Sequence, residues 1–247
     1  MTPRTALVSL SWVNGLTGVI NPVAEIAAIC KERGVPLHLD ITHALGKLYF
    51  NSEELGASFL TFNGDHLHAP KGTGGLWIKE GVRCSPFLIG GIEQGGRRAG
   101  SFSVANLVAL GEAAKETIEA RDYVGTEVAR LRNKLEDGII EGFPDAIVFY
   151  PNEERIPNVT AIAFPGVSNE ALLYLLNKNG VYANIGGGSF QQIGLVLSAA
   201  GVDKKIAATT LSFSLSRETK EEEITCAIAI ITSSAQRLRK LSEQLVK

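Results

Sequence analysis

The chain has 247 residues, of which 45% are hydrophobic and 20% charged, with a mean hydropathy of +0.11. That balance belongs to a folded globular protein and excludes a disordered or fibrous chain. A net charge of −2 and an isoelectric point near 6.1 argue against a nucleic-acid surface, and no apolar run reaches the roughly 18 residues of a membrane span.

The first elements alternate strand and helix. Residues 6–13 read as a buried strand running into the loop Asn14-Gly15-Leu16-Thr17-Gly18. Pro22 opens a helix with the apolar face Val23, Ile26, Ala27 and Cys30, and Gly34 ends it. Residues 36–40 form a short apolar strand ending in Asp40. Residues 59–62 and 75–78 are further strands, with a loop from Asn63 to Gly74 between them. This rhythm predicts a mostly parallel sheet covered by helices. Ligands of such sheets bind beyond the carboxyl ends of the strands, where Asp40 and residues 63–66 stand.

From Val104 to Gly142 the composition shifts to Ala, Glu, Lys, Arg and Leu, which predicts one or two long helices. Strands follow at 147–150, 158–164 and 210–215, with helices near 169–178 and from Thr219 onward. Thr219 with Glu222 has the capping-box spacing, and the stripe Ile224, Ala227, Ile228, Ile231 and Leu238 faces a core. The expected organisation is two α/β units. Residues 1–115 form the larger, and residues 116–247 hold a linking helix and a smaller C-terminal domain.

Several side chains invite chemistry. His38, between Leu37 and Leu39 inside a strand, has the pattern of a structural histidine. His43 lies three residues past Asp40, beyond a strand end, and is of a type able to titrate near neutral pH. Asp65-His66-Leu67-His68 offers metal-ligating groups, but no fourth ligand follows at a recognisable spacing, so no metal is expected. In an extended loop His66 and His68 would point to different sides. Glycines at 72, 74, 75, 90, 91, 95, 96 and 100 let backbone amides approach an anion. Arg97-Arg98 followed by Ser101 adds a phosphate contact. Neither a Walker lysine motif nor a GxGxxG fingerprint is present. Gly186-Gly187-Gly188-Ser189 is a mobile-loop candidate. Cys30 and Cys226 are expected as buried core thiols, and Cys84 in a surface turn. The absence of a C-x-x-C pair points to a reducing compartment. The start MTPRTALVSLSWVNG lacks the features of a secretory signal, so a cytoplasmic setting is expected.

Three stretches together resemble the cysteine desulfurases: VSLSWVNGLTGVINPVAEIAAICKERGVPLHLDITHALGKL, LTFNGDHLHAPKGTGGLWI and GGIEQGGRRAGSFSVANLVALGEA. The C-terminal IPNVTAIAFPGVSNEALLYLL and LSFSLSRETKEEEITCAIAIITSSAQRLRKL resemble that family's small domain. These are class V aminotransferase-type enzymes that use pyridoxal phosphate (PLP) to take sulfur from cysteine for iron–sulfur cluster and thiocofactor synthesis. The resemblance implies the C-terminal part of a PLP-transferase fold-type I large domain plus a smaller α/β domain. It also implies that the first strand corresponds to one about a third of the way into a complete desulfurase. The family's glycine-threonine phosphate cup and ring-stacking histidine would precede it.

Carried over position by position, the resemblance is mixed. Asp40 matches the carboxylate that pairs with the PLP pyridine nitrogen, and Ser101 matches the hydroxyl that reaches the phosphate of the neighbouring subunit. Arg98 and Lys71 fit the family pattern. His66, however, stands at the Schiff-base lysine position, with Asp65 and Asn63 replacing the flanking histidine and serine. Gly15 and His43 stand where an asparagine and a glutamine contact the cofactor's phenolic oxygen. Gly188 stands at the nucleophilic cysteine position and Ser212 at the substrate-arginine position. An imidazole cannot replace the lysine amine, and a glycine cannot attack sulfur.

The resemblance therefore implies a protein of sulfur transfer by ancestry, with its PLP-dependent desulfuration lost as the residues stand. The alternatives are an active desulfurase or related class V enzyme when complete, a non-catalytic scaffold or regulatory paralogue, and an altered enzyme using His43, Asp65 and His66. PLP is implied by the family, while the replaced positions argue against its being held here. A homodimer is implied, with residues 90–101 crossing to the partner and Arg97, Arg98 and Phe102 near a two-fold interface. Sulfur-acceptor or scaffold proteins are the other implied partners, and neither nucleic acid nor membrane is among them.

Overall fold

In the computed structural model, residues 1–187 and 191–245 are described. The chain divides into two compact units. Unit 1 comprises Met1–Val13 and Asn21–Arg121, and unit 2 comprises Asn14–Ile20 and Asp122–Lys247.

Unit 1 is built on a four-stranded sheet. Its strands β1 (Val8–Ser11), β2 (Leu37–Asp40), β3 (Phe59–Asn63) and β4 (Gly74–Ile78) lie side by side in chain order. β1, β2 and β3 run parallel, while β4 returns antiparallel to β3. Helix α1 (Val23–Glu32) connects β1 to β2, burying Val23, Ala27 and Cys30 and ending before Gly34 at φ 64°. Strand alternation sorts the sheet into two faces. Leu37, Leu39 and Leu60 are buried on one. The register Ser9–His38, Ser11–Asp40 and Asp40–Thr61 places a polar set on the other. Helix α2 (Val104–Glu119) buries Ala113 with Leu67 and Ala69, and Phe62 and Leu110 pack around them.

Between β3 and β4 the expected loop contains a 3-10 turn at Gly64–Leu67. A Cβ at Gly64 would lie 2.1 Å from Thr73 Oγ1 and 3.0 Å from Leu110. Only glycine lets this turn close against the strand that follows. The turn also corrects the expectation of an extended loop around His66 and His68, and His68 itself adopts a left-handed φ of 70°.

The long helical region continues through α3 (Arg121–Tyr123), a π-turn at Val124–Val128 and α4 (Ala129–Gly142). Unit 2 then forms a three-stranded antiparallel sheet from β5 (Ile147–Val148), β6 (Val159–Ala163) and β9 (Thr210–Ser214), with β6 central. All five residues of β6 are buried. That follows from cover on both faces, which removes any solvent-facing alternation. On one face lie α4, α5 (Asn169–Lys178) and α8 (Glu221–Leu245), contributing Leu135, Ile139, Leu172, Leu176 and Ile231. On the other, Ala161 and Ala163 meet Ile193 and Leu197 of α6 (Ile193–Ala199) and Ala207 of α7 (Lys204–Ala207). Between α5 and α6, the short strands β7 (Gly186–Gly187) and β8 (Gln191–Gln192) pair with each other. A buried ion pair, Arg155 Nη1 to Glu136 Oε1 at 2.9 Å, ties the β5–β6 connection to α4.

Two expectations in unit 2 are corrected. Cys226 on α8 is exposed, because the buried stripe of that helix runs through Ile224 and Ile231 instead. The cap of α8 sits one residue later than its spacing predicted. Glu223 Oε2 accepts from the Lys220 N–H at 2.8 Å, while the Thr219 hydroxyl accepts from the Ser216 N–H. Helices α6 and α7 and the π-turn were not foreseen.

Candidate functional site

Unit 1 gathers its polar candidates at the carboxyl ends of β2 and β3. Asp40 ends β2, and its Oδ1 accepts from the Thr42 N–H at 2.9 Å, turning the chain out of the sheet. The Thr42 hydroxyl in turn accepts from the Asn63 N–H at 3.1 Å, tying the ends of the two strands together. Asn63 caps the 3-10 turn through the Asp65 N–H. A cavity of about 490 Å³ opens here, lined by Asp40, Thr42, Thr61, Asn63, Thr73 and the backbone around Gly72. Asp40, Asn63, Gly72 and Gly74 are the predicted residues on that lining. Thr42 and Thr61 were not foreseen, although an aspartate two residues before a threonine is an Asx-turn signal.

His43 and His66 meet beside this cavity, edge to face, with ring centroids 4.5 Å apart. Burial is the main force on His43, with the nearby His66 and Lys47 adding to it and Asp40 opposing. Together they lower its pKa to about 4. His43 is therefore a neutral imidazole at pH 7, which corrects its expected titration near neutrality. Lys47, four residues beyond His43 in the same turn region, is lowered by burial to about 8. Asp65 keeps one buried carboxylate oxygen, Oδ1, without a hydrogen-bond partner among the described residues. Among the described residues no three His, Cys, Asp or Glu side chains converge as metal ligands.

The other predicted positions lie apart from that cavity's lining. Arg97, Arg98 and Ser101 are exposed, and Arg98 Nη1 donates to the neighbouring Ala99 carbonyl. Lys71 is exposed in the turn before β4. His38 is held within the sheet through both ring nitrogens.

Unit 2 holds Gly15 and Ser212. Gly15 lies in a tight turn in which Asn14 Oδ1 accepts from the Leu16 and Thr17 N–H groups. Ser212, in β9, is 1% exposed, and its hydroxyl has no hydrogen-bond partner among the described residues. Its backbone pairs in both directions with Asn184. Gly186 (φ 94°) could not carry a Cβ, which would fall 1.9 Å from the Gln191 carbonyl oxygen. Gly188 lies outside the described residues.

The family model for aminotransferase class-V matches residues 1–226. The chain is 37% identical over 246 residues to the cysteine desulfurase NifS of Azotobacter vinelandii. It is 39% identical over 247 residues to cysteine desulfurase 2 of Trichormus variabilis. In both comparisons 98% of this chain aligns, and it spans 61% of the relative's length. Among solved structures, one described as a NifS-like protein superposes with a TM-score of 0.88 at 29% identity, over 96% of this chain and 63% of that one. A NifS-like protein from Rickettsia africae shares the fold, with a TM-score of 0.83 at 24% identity, over 93% of this chain and 62% of that one. The resemblance of the motifs and the architecture of both units thus agree: the chain belongs to the class-V aminotransferase family, with NifS-type cysteine desulfurases among its relatives.

Proposed function

We propose that this chain is a sulfur-transfer protein by descent that does not itself run PLP-dependent desulfuration, and that it acts as a non-catalytic scaffold or regulatory paralogue of an active desulfurase. The observation that carries this reading is the donor set at the end of β3. An aldehyde cofactor is held through an amine, and its phosphate through cations and N–H donors. The cavity offers neither lysine nor arginine among its lining side chains. His66 stands at the family's lysine position, and beside it Asp65 carries the unpartnered oxygen. A carboxylate beside a phosphate dianion costs about 1 kcal/mol or more even where water screens it. Among the lining side chains Asp40 has the right chemistry for the cofactor ring, as a carboxylate for a pyridinium nitrogen. These residues do not fit a covalently held PLP. The unpartnered Ser212 hydroxyl supports the same reading, because a serine cannot make the two-pronged contact to a substrate carboxylate that an arginine makes.

The test is spectroscopic and enzymatic. Chain incubated with PLP is expected to show no visible absorbance band that borohydride removes, and no lysine adduct in a peptide digest. Cysteine is expected to yield neither sulfide nor alanine, even when a family-type N-terminal segment is supplied. Activity is expected only when that completed protein also carries His66→Lys, Gly188→Cys and Ser212→Arg. Sulfide release without those three changes would overturn the reading.

A further inference from the structure

The cavity at the carboxyl ends of β2 and β3 has a lining suited to a ligand unlike PLP. Asp40 supplies its charge, and Thr42, Thr61, Asn63 and Thr73 supply neutral polar side chains. Hydrogen bonds within the chain decide what these groups still offer. Asp40 Oδ1 accepts from the Thr42 N–H at 2.9 Å, while its Oδ2 accepts from no donor among the described residues. The Thr73 hydroxyl gives its proton to the Pro70 carbonyl at 2.7 Å, so any further bond at that oxygen is one it accepts. Asn63 Oδ1 accepts from the Asp65 N–H at 3.3 Å and keeps a second lone pair. The Thr42 hydroxyl accepts from the Asn63 N–H at 3.1 Å, which leaves its own proton to donate. The Thr61 hydroxyl is engaged by His38 Nε2 at 2.9 Å.

The lining therefore presents one charged acceptor, two neutral acceptors and the neutral donors of Thr42 and the Asn63 amide. Charge narrows what can match it. A single carboxylate balances one unit of positive charge, whereas divalent cations gather several carboxylates. A guanidinium pairs best with both oxygens of a carboxylate, and Asp40 has turned one of them to the Thr42 N–H. A primary ammonium takes one charged and two neutral acceptors, which is the set left unfilled here. A carboxylate or phosphate on the ligand would meet Asp40 as a like charge, with Asp65 close behind Asn63. A hydroxyl both accepts and donates, so it suits the donors of Thr42 and Asn63. The neighbouring His43 is neutral at pH 7 and adds no opposing charge, and neither Lys47 nor Lys71 is among the lining residues.

We propose that this cavity binds small hydroxylated primary amines, with Asp40 as counter-ion of the ammonium and Thr73 and Asn63 as its neutral acceptors. The proposal rests on the reading that PLP is not held there covalently, and it gives the non-catalytic protein a ligand of its own.

The probe is ethanolamine, titrated into the chain with its threonine methyl groups labelled for NMR. The Thr42, Thr61 and Thr73 signals are expected to shift together and to saturate. Asp40→Asn is expected to weaken binding at least about tenfold, as the loss of a charged hydrogen-bond partner does. Thr73→Val is expected to weaken it about threefold, through one neutral acceptor. Should Asp40→Asn fail to fold, the unaltered chain keeps the proposal testable through its ligands. Choline keeps the charge and the hydroxyl but has no N–H, ethylene glycol lacks the charge, and the amino acid serine adds a carboxylate. Each is expected to bind at least about fivefold more weakly than ethanolamine, because each lacks one matched feature or carries a repelled one. Choline binding as tightly as ethanolamine, or binding unaffected by Asp40→Asn, would overturn the proposal. PLP is added to a separate sample that contains no amine. A visible band that borohydride removes would overturn the reading of the PLP site. Absence of that band together with unmoved threonine signals in ethanolamine would overturn this proposal alone.

Discussion

Burial lowers Lys47 from its ordinary 10.5 to about 8, and no carboxylate among the described residues forms an ion pair with it. Below pH 8 the ammonium is charged in both the folded and unfolded chain, so its desolvation weighs fully against folding. Between pH 8 and 10.5 the unfolded chain binds more protons, and stability rises with pH. Lys47→Met is therefore expected to stabilise unit 1 at pH 7 by about 1–2 kcal/mol, a figure discounted because the side chain keeps some contact with water. Thermal melts at pH 7 and pH 10 check this. A gain of equal size at both pH values would assign the effect to packing instead. The same residues mark a limit of sequence reading. The identity and i, i+4 spacing of His43 and Lys47 are visible in the string, but the lowered pKa of each follows from burial, and that of His43 also from the approach of His66 in the turn after β3.

At the scale of the element, the turn between β3 and β4 depends on one close approach. Gly64 donates its N–H to the Thr73 carbonyl at 2.9 Å, and the Thr73 hydroxyl donates to the Pro70 carbonyl at 2.7 Å. A methyl group at Gly64 would displace the second of these bonds. Gly64→Ala is expected to cost about 1–3 kcal/mol through this crowding. Gly111, exposed within α2 with nothing within 4 Å of its would-be Cβ, is the matched control. Gly111→Ala is expected to gain about 0.5–1 kcal/mol from helix propensity alone. Urea unfolding of the two variants separates the effects, and equal changes of one sign would refute the contact argument. Element positions were legible where periodicity was strong, as in α1, α5 and β6. The α8 cap was harder to place because Thr219 and Lys220 each have an acceptor three residues on, and only the backbone geometry selects between them.

At the scale of the whole molecule, unit 1 exposes a run of large apolar side chains along residues 87–108. Phe87, Ile89 and Ile92 are 96%, 81% and 90% exposed, and Phe102, Val104, Leu107 and Val108 are exposed as well. Such a patch marks an association surface. A homodimer through this segment is the expected assembly, with Arg97, Arg98 and Ser101 carried toward the second copy. Light scattering is expected to give twice the 26.4 kDa of one chain. Ile89→Asp with Ile92→Asp is expected to shift that mass toward a single chain. A strict monomer of the unaltered chain at micromolar concentration would refute it.

The string of residues by itself determined the α/β class, the strands and helices as far as α5 together with β9 and α8, and the family. Those depend on local periodicity, turn chemistry and motif spacing, which the chain carries in one dimension. Only the tertiary structure decided that the segment Asn14–Ile20 belongs with unit 2 although it lies between two elements of unit 1. It also decided that Cys226 faces water and that His43 stays neutral. The row from Ser9 through His38 to Thr61 is of the same kind: three residues separated by 29 and 23 positions become hydrogen-bonded neighbours. Parallel strands joined by long connections bring together what sequence distance keeps apart, and burial then sets the charge of what has been brought together.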